Sequence, residues 1–146
     1  MKIETTQVTK LRLTEIDGLD PVSVFLENVG KEQGKLTVEC YGKAWSCYWG
    51  AMGCDINEFI NSANVGYITG KLSNIQRNVI DYDKIAEECG IDDELCESNL
   101  LFYREQVNDR YGYDWQFNLP ETENHEYTYL RKIVVAVKEA VKRQAP

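Results

Sequence analysis

Long apolar runs are absent from this 146-residue chain, and nothing approaches the roughly 18 consecutive apolar residues that a membrane-spanning helix requires. The segment MKIETTQVTKLRL at the start has charged and polar side chains where a signal peptide has its apolar stretch. The five cysteines are an odd number, which fits a reducing compartment better than a disulfide framework. We therefore expect a soluble, cytoplasmic protein.

Histidine is nearly absent too, since His125 is the only one. A nucleophilic serine or cysteine usually needs a neighbouring base, and the sequences GxSxG, GxGxxG, HExxH and the P-loop do not occur. Cys40, Cys47 and Cys54 recur every seven residues, whereas zinc ligands normally stand about two to four residues apart. We therefore expect that the protein is not an enzyme and has no cofactor and no metal. The least favoured alternative is an enzyme that uses His125 with a cysteine.

Acidic residues are abundant, and the net negative charge of the chain comes from one segment. Residues Asp81 to Asp109 hold ten acids and two bases, and the remainder balances at fourteen of each, so this segment accounts for the net charge of −8. Charge of one sign at this density repels itself, which indicates a solubility role or a basic partner. It would also repel nucleic acid and anionic membranes, so we expect neither as a direct partner.

The apolar pattern predicts strands first and helices later. Period-two alternation in the first third predicts an antiparallel meander, and capping and helical spacing predict later helices, including one from about His125 to Arg143. From Tyr111 to Leu119 aromatic and polar residues alternate, which predicts an additional aromatic-rich strand before that helix. No linker or repeat occurs. We predict a single α+β domain over residues 1–146, with a β-meander and three to four helices.

The acidic segment contains a candidate partner-binding face. We predict a long helix over residues 92–110, with one buried stripe formed by Cys96, Leu100, Tyr103 and Val107. The opposite side would present Glu94, Glu97, Leu101, Glu105 and Asp109. A leucine among carboxylates is typical of an interface anchor surrounded by steering charges. The alternative is a solvated helix face with one exposed leucine.

A second candidate is the stretch Cys40 to Cys54, CYGKAWSCYWGAMGC. Trp45, Tyr48 and Trp49 could anchor a partner or stack on a nucleotide ring. The alternative, which we favour, places Trp45 and Trp49 on the core side of a strand, because large aromatic side chains are mostly buried.

The segments Val38 to Gly53 (VECYGKAWSCYWGAMG) and Asn124 to Val134 (NHEYTYLRKIV) resemble small acidic accessory proteins of tailed bacteriophages and prophages. The similarity extends over most of the chain and transfers no site residue. It implies the cytoplasm of an infected bacterial host, where many such proteins inhibit host defence or redirect host enzymes, several of them through acidic surfaces.

Charge and resemblance together give one functional hypothesis. The chain would be a non-enzymatic phage-encoded inhibitor or adaptor that binds a host protein complex through its acidic helical surface. The partner would be a nucleic-acid-targeting defence system with a basic surface, such as a CRISPR effector, a restriction enzyme or a nuclease, which makes the chain a candidate anti-CRISPR protein or DNA mimic. The alternative is a nucleotide or small-ligand binder that uses the Trp45/Tyr48/Trp49 region.

Overall fold

The computed structural model describes residues 1–145, and the backbone contacts divide the chain into two compact units. We call Met1–Ile75 with His125–Pro146 the sheet unit, and Gln76–Asn124 the acidic unit. Each is described by itself. The single domain over residues 1–146 stays a prediction.

The sheet unit is built on the predicted antiparallel meander. Its four strands pair in chain order: β1 Thr9–Leu13, β2 Val22–Gly30, β3 Gln33–Cys40 and β4 Lys43–Trp49. The register places Val24 opposite both Leu11 and Val38, so alternate side chains of neighbouring strands face the same side. One face of the sheet is therefore apolar and buried, while the other carries polar and exposed residues.

Three helices of the sheet unit contribute to the same core as that apolar face: α1 Ile56–Ser62, α2 Val65–Leu72 and α5 His125–Gln144. The Asp55 side chain caps α1 by accepting from the Glu58 amide at 2.9 Å, and Asn64 caps α2 in the same way. On α5 the buried side recurs at helical spacing, with Leu130, Ile133, Val134, Val137 and Val141 inside. These five residues close the core of the unit.

Lys138 joins α5 to the end of α1. Its Nζ donates to the carbonyl oxygens of Ile60 and Asn61, each at 2.9 Å, and to that of Ala63. The last carbonyls of a helix have no partner within the helix, so a cation here satisfies them and opposes the negative end of the helix dipole. Lys138 is thus a C-terminal cap for α1 supplied by another element.

The acidic unit has a smaller core. Strand β5 Asn78–Ile80 pairs antiparallel with β6 Glu121–Glu123, and two helices lie between them in the chain, α3 Tyr82–Cys89 and α4 Arg104–Tyr111. Two 3₁₀ turns, Leu100–Tyr103 and Trp115–Phe117, flank α4. The buried residues of this unit are Ile85, Leu95, Leu100, Val107 and Trp115.

The α+β class, the meander and a strand before the C-terminal helix are confirmed, with that strand at Glu121–Glu123. The alternating aromatic residues 111–119, which were predicted to form this strand, do not form one. Helix α4 continues to Tyr111, Gly112 follows with φ of 89°, and Trp115–Phe117 forms a 3₁₀ turn in which only Trp115 is buried. Within residues 1–145 five α-helices form rather than three to four, because Val65–Leu72 is also helical.

The single helix predicted over residues 92–110 is wrong. The Asn99 side chain accepts from the Cys96 amide at 2.8 Å and donates to the Glu94 carbonyl at 2.9 Å. These bonds satisfy backbone groups locally and compete with helix formation, so α4 begins only at Arg104. Leu100 and Val107 are buried as predicted, but Cys96 is exposed and Leu95 occupies the core instead.

No helix within residues 1–145 combines the length and the apolar character that crossing a membrane requires.

The Lys138 cap is tested by the substitution Lys138→Met, which keeps the aliphatic stem and removes the donor. We expect a loss of about 2 kcal/mol in the free energy of unfolding by urea, because three carbonyls lose a charged donor. The matched control is Lys142→Met on the exposed side of the same helix, with an expected change within about 0.5 kcal/mol. Equal effects of the two substitutions would contradict the capping role.

Candidate functional site

The net charge of the chain lies on one of its two units. The acidic unit has thirteen carboxylate side chains and four basic ones, a net charge of −9, whereas the sheet unit has eleven and twelve, a net charge of +1. Eleven of the thirteen carboxylates are exposed, and the other two, Asp81 and Glu88, are half-buried. The acidic unit is therefore a compact body with a negative surface.

Some of these carboxylates have a structural role. Asp81 caps α3 by accepting from the Lys84 amide at 3.0 Å. The Tyr103 hydroxyl donates to Asp93, and this hydrogen bond raises the pKa of Tyr103. The hydrogen bond from Tyr103 to Asp93 joins the irregular segment after α3 to the 3₁₀ turn at Leu100–Tyr103.

Glu88 forms a polar group with Arg110 and Tyr111. It accepts from the Tyr111 hydroxyl, and Nη2 of Arg110 lies 3.4 Å from its Oε2. The hydrogen bond from Tyr111 and the nearby guanidinium lower the pKa of Glu88, while burial and the same carboxylate raise the pKa of Tyr111. The Arg110 guanidinium also lies over the Tyr111 ring, 5.2 Å from its centroid. A cation, a ring and a carboxylate thus meet between α3 and α4.

The five residues of the predicted partner-binding face are all exposed, but they do not share one helix. They are Glu94, Glu97, Leu101, Glu105 and Asp109. Only the last two lie on α4, Leu101 is in the 3₁₀ turn before it, and the first two are in the irregular segment. Within the described part of the chain, none of the four carboxylates makes a hydrogen bond or ion pair.

Large apolar side chains accompany these charges. Leu101 is 69% exposed, Phe102 84%, Tyr113 90% and Phe117 88%. Of these four residues only Leu101 was predicted to be exposed. The exposure of Phe102 was missed, and the expected strand over residues 111–119 would have buried Tyr113 and Phe117. The signal that could have revealed them is Gly112, which ends a helix more readily than it occupies a strand interior. These exposed apolar side chains belong to the same unit as the carboxylates, which makes them candidate contacts for a partner.

The structure does not bring Trp45, Tyr48 and Trp49 together. Trp49 is buried, donates from Nε1 to the Tyr67 hydroxyl at 3.0 Å, and lies 5.1 Å from the Phe59 ring. Trp45 is half-buried on the same side of β4, while Tyr48 points to the other side and is 56% exposed. The core interpretation of the two tryptophans is therefore correct for Trp49 and correct in part for Trp45.

Trp45 lines an open cleft of about 420 Å³ in the sheet unit. Tyr41 and Tyr129 supply further aromatic walls. The Tyr129 hydroxyl donates to Oδ2 of Asp20 at 2.7 Å, and the hydrogen bonds to Asp20 and Cys40 raise the pKa of Tyr129 to about 12. The cleft walls are mainly apolar, and its edge carries both acidic and basic side chains.

His125 also lines this cleft, together with Cys40. The Cys40 thiol is buried and lies 3.6 Å from the Tyr129 hydroxyl, and in the described residues it makes no hydrogen bond to His125. All five cysteines are unpaired thiols. Among residues 1–145, no three His, Cys, Asp or Glu side chains are grouped so that they could hold a metal ion. The expected lack of enzymatic activity stays a prediction.

Comparison with known proteins gives one match. A family model described as a phage family covers residues 1–143, so the chain belongs to that phage family. The chain is therefore a phage-associated protein, as the resemblance in the sequence implied. No curated protein and no solved structure matches it significantly.

The role of Glu88 is tested by Glu88→Gln. Because its pKa is lowered in the folded chain, the Glu88 carboxylate stabilises the fold above its unfolded pKa of 4.5, and this contribution disappears as the pH falls through the folded value. We expect the variant to unfold at a lower temperature than the wild type at neutral pH, and the difference to vanish well below pH 4.5.

The control for Glu88→Gln is Glu87→Gln, which removes an exposed charge with no side-chain partner. It should leave the neutral-pH melting temperature unchanged or raise it, because one repelling charge is gone. A Glu88→Gln deficit that stays constant across the pH range would show that the carboxylate is not the stabilising group.

Proposed function

We propose that the chain is a non-enzymatic inhibitor or adaptor that acts in the cytoplasm of the bacterial host by docking its acidic unit on a basic surface of a host protein complex. The observation that carries the proposal is the coincidence of a net charge of −9 with large exposed apolar side chains in one unit of 49 residues. Membership of a phage family supports a host protein as the target.

The two features of this surface have different physical effects on binding. Exposed carboxylates accelerate association with a positive partner, because their field acts before contact, and the effect falls as salt increases. Exposed apolar side chains slow dissociation, because their burial is lost when the complex separates. A surface that combines them suits fast and persistent capture of a basic partner.

A nucleic-acid-targeting defence complex is the partner class that this charge fits best. Surfaces that bind DNA or RNA place lysine and arginine against phosphates, and the exposed carboxylates of the acidic unit would occupy the positions of those phosphates. A CRISPR effector, a restriction enzyme or a nuclease has such a surface. By placing carboxylates where the phosphates would lie, the acidic unit would act as a DNA mimic.

A nucleotide or small-ligand binder is the second candidate, and the cleft beside Trp45 favours it. An aromatic wall can stack on a base, and the cleft volume of about 420 Å³ is in the range of small-molecule sites. Asp20 and Glu126 at the cleft disfavour phosphate groups, so this candidate ranks below the first. Retention of a nucleotide by the purified chain after incubation with a host metabolite extract would reverse the ranking.

The first candidate is tested by a triple charge reversal, Glu94→Lys with Glu97→Lys and Glu105→Lys. The chain is immobilised, bacterial proteins are captured at low and high salt, and the affinity of each protein captured is then measured. We expect a partner whose affinity drops at least about tenfold with the reversal at low salt, about 1.4 kcal/mol, because attraction becomes repulsion.

The matched control reverses three exposed acids of the sheet unit, Glu4→Lys, Glu15→Lys and Glu39→Lys. It changes the total charge equally and should leave partner affinity within about twofold, since only the charges at the interface are close enough to escape screening. The proposal fails if both triple variants bind the captured partners as the wild type does.

A further inference from the structure

Two of the exposed phenylalanines stand three residues from a carboxylate. Asp114 precedes the 3₁₀ turn that contains Phe117, and the Phe117 amide donates to the Asp114 carbonyl at 3.0 Å. Side chains three residues apart in a 3₁₀ turn lie above one another. Phe102 precedes Glu105 by three residues, across the junction of the first 3₁₀ turn and α4, and side chains at this spacing on a helix are neighbours. All four side chains are exposed.

The acidic unit already contains one guanidinium group that contacts both an aromatic ring and a carboxylate, although there the ring and the carboxylate come from different helices. The Arg110 guanidinium lies over the Tyr111 ring, with 5.2 Å from Cζ to the ring centroid, and its Nη2 is 3.4 Å from Oε2 of Glu88. The planar cation therefore has a ring on one side and a carboxylate at its edge. The pairs Phe102 with Glu105 and Phe117 with Asp114 offer a ring and a carboxylate, and no cation of residues 1–145 stacks on either phenylalanine ring.

We propose that the acidic unit recognises an arginine-rich protein surface, with partner guanidinium groups seated between these phenylalanine rings and their neighbouring carboxylates. This inference rests on the proposed function, since it names the side chains of the basic partner. Arginine fits better than lysine because its guanidinium is planar, stacks on aromatic rings, carries a weaker hydration shell and donates to a carboxylate with two parallel N–H groups. The charge of −9 on the unit supplies the complementarity.

The test compares two peptide probes of equal length and charge, one of arginine and one of lysine, titrated against the full chain at low salt. We expect the arginine peptide to bind about fivefold tighter, in line with the strength of exposed cation–π contacts. The double variant Phe102→Leu with Phe117→Leu keeps apolar side chains but removes the rings, and it should reduce this preference to less than about twofold. Tyr48→Leu, at an exposed aromatic residue of the sheet unit, should leave the preference unchanged.

A second pair of double variants tests the carboxylates, and both variants have the same net charge, since each removes two acids. Glu105→Gln with Asp114→Asn removes the two carboxylates beside the phenylalanines, whereas Glu87→Gln with Asp92→Asn removes two exposed acids that have no aromatic residue within three positions. The first pair should reduce arginine preference more than the second. Unaltered near-ultraviolet circular dichroism of each variant confirms that the fold is kept.

The outcomes separate the two proposals. Equal binding of the two peptides to the wild type, or a preference that survives in the double leucine variant, overturns the arginine inference and leaves the docking function standing. Binding of neither peptide overturns both. A dimer of the chain that protects Phe102 and Phe117 in the absence of peptide also overturns the inference, since a second copy would then be the occupant.

Discussion

Repulsion among carboxylates is the main constraint on the folding of the acidic unit. Its 49 residues carry a net charge of −9 and are held by five buried side chains, in a size range where domains have little stability in reserve. The unit reduces the repulsion locally: Asp81 caps a helix, Asp93 accepts from Tyr103, and Glu88 pairs with Tyr111 and Arg110. Most of its exposed carboxylates have no such role, and their charge is available to a partner.

The sheet unit differs from the acidic unit in its charge and in the size of its core. It is nearly neutral and has the larger core, to which β2, β3, β4 and its three helices contribute buried side chains. Lys138, one of its cations, is used to cap α1 rather than to form a positive surface. The chain belongs to a phage family, and the proposed function assigns recognition to the acidic unit, while the sheet unit has the larger core.

The sequence predicted the parts of the fold that follow from local periodicity. Alternation around Val24 and Val38 located the meander, and helical spacing from Leu130 to Val141 located the C-terminal helix. The prediction failed between residues 92 and 119, where side-chain hydrogen bonds from Asn99 and the positive φ of Gly112 override the apolar pattern. Because of that error the exposure of Tyr113 and Phe117 was not predicted. A pattern of alternating aromatic residues does not show whether their side chains are buried.

The central claim is that most of the negative charge of the acidic unit is not balanced by bases of the same unit. Hydrogen exchange of the backbone amides at low and high salt tests it most directly, with α3 and α4 compared against α5. Screening should slow exchange in α3 and α4 as salt increases, because repulsion opposes folding of that unit, while α5 changes little. Exchange in α3 and α4 that is independent of salt, or that changes in parallel with α5, would contradict the account.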